Sequence, residues 1–120
     1  MIIPLSIPSI RYAVELCEEK PGYHFGIIIA DDTFVESIFN ICLDFIDWMQ
    51  YNPLHTVMRT DTATIAFKNG SYIQILRPSD MRRCLLWHAC LTDPKLDKKA
   101  AHKTSAKYLR STYKDISQGT

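Results

Sequence analysis

The sequence predicts an α/β protein: a mixed sheet with an Asn-Gly hairpin, flanked by about three helices. Three observations carry that prediction. Gly26-Ile27-Ile28-Ile29-Ala30 is a short, wholly apolar, β-branched run, as a strand covered on both faces requires. Behind it, Phe34, Ile38, Ile41, Phe45 and Trp48 recur at helical spacing. Alternating segments then flank Asn69-Gly70, a strong short-range signal for a hairpin. At 120 residues the chain is expected to be one domain, 1–120, with enough apolar residues for a core that needs no staples.

The first helix is expected from Pro8, which suits a first helical turn, with Ile10, Ala13, Val14 and Cys17 on its inner stripe. Lys20-Pro21-Gly22 stops it. After the apolar strand, Thr33 and Glu36 have capping-box spacing, so a second helix is predicted from there to Asn52-Pro53. Val35, Cys42, Ile46 and Met49 widen its apolar face, which implies a buried helix. His55–Met58 reads as a short strand. In the hairpin, Ala63, Ile65 and Phe67 alternate with Thr62, Thr64, Ala66 and Lys68, and Tyr72, Gln74 and Leu76 alternate with Ile73 and Ile75. Asn69-Gly70 is expected to supply the positive φ angles of a tight primed turn. A polar loop, Arg77–Arg83, leads to a buried strand over Leu85–Thr92, and a basic helix is predicted at about 95–116. This order argues for a layered α/β architecture in which the second helix is the crossover of a βαβ unit.

No apolar run approaches the roughly 20 residues of a membrane span. The N-terminal stretch has no basic region ahead of its apolar residues and contains two prolines, so it makes a poor signal peptide. A cytoplasmic protein is expected, in a host bacterial cell if the chain is phage-encoded. Cys17 and Cys42 fall on apolar helical stripes, where a free thiol behaves as a small hydrophobe. Cys84, His88 and Cys90 form the only close set with metal-ligand chemistry, and without a fourth ligand they predict no metal site.

The net charge of +1 conceals an asymmetry. Residues 1–94 carry seven Lys/Arg against eleven Asp/Glu, and residues 95–120 carry seven against two. Lys95, Lys99, Lys103, Lys107, Arg110 and Lys114 step by three or four, which lays them along one helix face. Such a stripe suits a nucleic-acid backbone, an acidic protein or the acidic body of a second copy; the ordinary alternative is a solvated face. Within the body, Glu15, Glu18, Glu19, Asp31 and Asp32 are the candidate acidic contact residues, with Glu36, Asp44 and Asp47 nearby in sequence. Asp31, Asp32, Asp61, Asp80 and Asp93 are a candidate carboxylate cluster at a sheet edge, but their spacing is not metal-specific, and cap or turn roles account for Asp31, Asp32 and Asp61.

With these elements placed, Gly26 to Asp97 resembles the ATPase core of phage terminase large subunits and related P-loop proteins. Ile27–Ala30 and Thr33–Met49 match the strand and long helix, Ile65–Phe67 with Asn69-Gly70-Ser71 and Ile73–Leu76 match the hairpin, Ser79 to Arg82 matches a loop, and Trp87–Asp93 matches the strand that ends in the second nucleotide-binding motif. The departures decide what the resemblance implies. The chain has no G-x-x-x-x-G-K-[ST] element, and none of Gly22, Gly26, Gly70 and Gly119 precedes a lysine. Asp93 stands at the metal position, but Pro94 follows it where the family has a glutamate. The resemblance therefore implies a degenerate ATPase scaffold with no cofactor. The expected function is non-catalytic: a small phage or prophage binding protein with a protein partner, such as an inhibitor of a host defence nuclease of the anti-CRISPR kind. The alternatives are a DNA-binding accessory protein using the basic helix, or a subunit that completes an ATPase or nuclease site in trans. Self-association is a further expectation, and a membrane partner is not expected.

Overall fold

A computed structural model describes residues 2–59, 62–78 and 87–99. Among these residues eight elements follow one another: β1 (Ile2–Pro4), α1 (Ile7–Glu19), β2 (His24–Ile28), α2 (Val35–Trp48), β3 (Pro53–Met58), β4 (Thr62–Phe67), β5 (Tyr72–Leu76) and β6 (Ala89–Thr92). The fold is α/β, with one mixed six-stranded sheet in the order β1-β6-β2-β5-β4-β3. The central strands β2, β5 and β6, together with β1, run parallel, while β3, β4 and β5 form antiparallel ladders.

The sheet is covered differently on its two sides. Phe25, Ile27 and Ile29 point with Ile65, Phe67, Ile73, Ile75 and Leu91 into a core closed by α1 and α2. On the opposite side Ile28, Tyr72, Leu76 and Cys90 gather around Trp87, with Leu96 packed against them. This explains the continuous apolar run of β2, whose alternate residues serve both cores. Gly26 sits beneath Trp87, and a Cβ there would overlap the indole ring. The Trp87 Nε1 donates to Gln74 Oε1 at 3.1 Å, which fixes the ring across β2 and β5.

Helix α1 starts at Ser6, whose side chain accepts from Ser9 N while Ser9 Oγ accepts from Ser6 N, and Pro8 lies in its first turn. Helix α2 departs from expectation in two ways. Its N-cap is Phe34, with no side-chain cap, so the predicted Thr33–Glu36 box does not form. Its buried face is Val35, Ile38, Phe39, Cys42 and Ile46, whereas Phe34 and Trp48 are 72% and 67% exposed. The broad apolar pattern was centred one residue row away from the face that packs. As a crossover, α2 carries the chain from central β2 to the edge strand β3, past two strands that enter later.

Residues 68–71 join β4 to β5 differently from a two-residue primed turn. Asn69 does not adopt a positive φ, and only Gly70 does, at 87°. Gly70 N donates to Phe67 O and Phe67 N to Ser71 O, which describes a three-residue connection with glycine in the left-handed position. Strand β1 was not anticipated, because three residues beside a proline carry no periodicity; it is recruited by pairing with β6. The predicted strand from Leu85 is described only from Ala89, and the basic helix lies outside the described residues beyond Lys99. Lys95 itself sits in a turn, with helical geometry first at Lys98 and Lys99.

Candidate functional site

The carboxyl ends of β2, β5 and β6 lie side by side at one edge of the sheet, the kind of edge at which open α/β sheets bind ligands. Asp93, just past β6, is its centre and is 6% exposed. Its Oδ2 accepts from Thr33 Oγ1 at 2.7 Å and Ala30 N at 3.1 Å, and its Oδ1 accepts from Lys95 N at 3.0 Å. Burial pushes the carboxyl up, but the Lys95 N–H, the Thr33 hydroxyl, the Ala30 N–H and the Lys95 charge together outweigh it and hold the group below the usual aspartate range. Arg77 Nη2 donates to Thr33 O at 2.9 Å and closes the edge from β5.

A threonine hydroxyl beside a strand-end aspartate is the pair that P-loop proteins use to hold magnesium. Here the surroundings do not fit a magnesium–nucleotide complex. The Thr33 proton is directed onto Asp93, and the Ala30 and Thr33 amides of the connecting loop are engaged within the protein, the latter with Ala30 O at 3.0 Å. Asp31 and Asp32 are exposed at the same edge, where the exposed Lys95–Asp32 pair lies at 3.7 Å. Lys95, at this edge, is paired with Asp32, and the neighbouring carboxylates would repel phosphates. Chemically, this arrangement pins the β2–α2 loop to β6. Thr33, read from sequence as a cap, is the residue whose role was missed; the signal was its place beside a strand-end aspartate 60 residues away.

The Asn69-Gly70-Ser71 segment has a comparable fastening role at the opposite edge. Asn69 Nδ2 donates to Cys17 O and Glu18 O at 2.9 and 3.1 Å, satisfying carbonyls at the C-terminus of α1. Buried Ser71 donates to Lys20 O and accepts from Tyr23 N. Gly22 N donates to Asn69 O.

This edge is also the acidic one. Glu18 and Glu19 occupy the last turn of α1, and Asp47 the last turn of α2, with no basic residue in either turn. Just beyond α2, the Tyr51 phenol is raised by burial first and then by the Glu15, Glu18 and Glu19 carboxylates, with Arg11 acting the other way. Arg11 binds Glu15 at 3.0 Å and lies 5.1 Å above the exposed Trp48 ring. The acidic residues named from sequence therefore do not form one patch. Glu15, Glu18 and Glu19 precede the start of β2, whereas Asp31 and Asp32 follow its end.

Near the start of β2, His24 stacks on Tyr72 with centroids 4.2 Å apart, and His88 stacks on Tyr23 at 5.1 Å. His88 Nδ1 accepts from His24 N at 3.1 Å, and burial followed by the neighbouring His24 lowers its pKa. Cys90 is buried in the small core, and Cys84 lies outside the described residues. Among the described residues no group of three His, Cys, Asp or Glu is placed to hold a metal. Burial raises the Cys17 thiol far above its usual range and pushes Cys42 up to about 12, which leaves both as packing groups. Of the basic stripe, Lys95 and Lys99 are exposed; Lys103, Lys107, Arg110 and Lys114 lie outside the described residues, as do Asp61 and Asp80. Among the described residues no helix is long and apolar enough to cross a membrane. Comparison with protein-family models, curated proteins and solved structures found no match.

Proposed function

We propose that this chain is a non-catalytic binding protein of phage or prophage type, built on a scaffold that resembles a P-loop ATPase core without its phosphate loop. It presents the acidic ends of α1 and α2 to a cationic site on a protein partner. The observation that carries this reading is the placement of Glu18, Glu19 and Asp47. Helix C-termini carry partial negative charge, so acidic residues there cost about 0.3–1 kcal/mol each when exposed. A local rule broken at the ends of both helices on one edge points to selection for binding rather than stability. Exposed Tyr12, Trp48 and Arg11 adjoin it, the residue types that dominate contact energies. A nucleic-acid-guided defence nuclease has a cationic groove of the kind such a surface would occupy, with carboxylates standing in for phosphates.

The test is affinity capture from a bacterial lysate, with and without nuclease treatment, by the natural chain and by a Glu15→Lys, Glu18→Lys, Glu19→Lys variant. The expected result is a protein retained after nuclease treatment and lost with the variant. Capture unchanged by charge reversal would overturn the acidic-edge reading. Capture abolished by nuclease, with loss in a Lys99→Ala, Lys103→Ala, Lys107→Ala variant, would assign binding to the basic run instead.

A further inference from the structure

We propose that β3 is a self-association edge, at which two copies of this chain pair antiparallel about a two-fold axis and join their sheets. The inference does not rest on the acidic-edge reading. Among the described residues β3 ends the sheet order and pairs with β4 alone, so alternate backbone N–H and C=O groups along its outer side face away from the sheet. Monomeric proteins guard such an edge with lysines, inward charges, prolines or bulges. In Pro53-Leu54-His55-Thr56-Val57-Met58 there is no acidic residue, lysine or arginine. The proline and the irregularity between Pro53 and His55 guard its beginning and leave His55–Met58 in regular register. Leu54, Val57 and Met58 are 61%, 42% and 44% exposed.

Charge selects the occupant and its direction. Arg59 follows the end of β3, and the acidic last turn of α2, with Asp47, precedes its beginning by a short connection. Antiparallel pairing of two copies brings each Arg59 to the other's acidic end. Parallel pairing would set the two arginines side by side, at a cost. Phe34, Val35, Glu36, Met58 and Arg59 line an open depression of about 500 Å³ at one end of the strand. In the antiparallel arrangement it faces the Leu54 end of the second copy. Self-pairing is isologous, so it closes at two.

The test is light scattering on the full chain from low micromolar to hundred-micromolar concentration, together with backbone hydrogen exchange at both extremes. The expected result is a concentration-dependent dimer, slower exchange within 55–58 at high concentration, and at least tenfold weaker association in Val57→Lys. A monomer throughout, an open-ended polymer, or a dimer with β3 exchange unchanged would each overturn the proposal. The exchange measurement uses the natural chain and so stands even if Val57→Lys fails to fold.

Discussion

Asp93 illustrates how one side chain fixes a loop that sequence alone reads as a metal position. Its carboxylate answers two backbone amides and one hydroxyl from three positions in the chain. Removing it in Asp93→Ala leaves the Ala30 N–H unpaired, and an unpaired buried donor costs about 1–3 kcal/mol. Thermal melts at neutral pH should show a loss of that size. The sign of the pH dependence follows from the lowered pKa. The unfolded carboxyl titrates near its reference value of about 3.9, so Asp93 contributes its full stability above that pH. The contribution is lost as pH falls through the lower folded pKa. The melting gap between the natural chain and Asp93→Ala should therefore be constant near neutrality and narrow in acid below about pH 4. A gap that widens on acidification would contradict this role.

At the scale of elements, the two helices share a packed core but differ at their ends. Ser6 and Ser9 cap α1 reciprocally, and Asn69 satisfies its last carbonyls, whereas α2 begins without a side-chain cap. Both then finish on acidic residues. Glu19→Lys with Asp47→Lys should stabilise the fold by roughly 0.3–1 kcal/mol per site at low ionic strength, an effect screened by salt. Denaturant titration checks it, and unchanged or reduced stability would remove the argument that these residues serve binding at the fold's expense. Element identity was legible where periodicity was strong: Ile10, Ala13, Val14 and Cys17 line the buried side of α1, and the apolar run at Gly26 is the central strand. The face of α2 was not, because an apolar surface that wide fits two rotations and only the sheet chooses between them. β1 was illegible for another reason, since its strand character comes from β6 rather than from its own three residues. The acidic residues were legible one by one, but their division between opposite edges depends on the course of β2, which spacing does not reveal.

For the whole molecule, the sheet order places every parallel strand around β2 and leaves an antiparallel flank ending at β3. One edge is fastened by Asp93 and Thr33, the other by Asn69 and Ser71. These segments act as internal fasteners, and the exposed features lie outside them: acidic helix ends, Trp48 and the β3 edge. The proposal places binding on these surfaces and not at the strand ends. Calorimetric titration of the natural chain and Asp93→Asn with Mg-ATP tests it most directly. No saturable heat is expected up to millimolar nucleotide, and no difference between the two proteins. Saturable, magnesium-dependent binding that Asp93→Asn abolishes would contradict it.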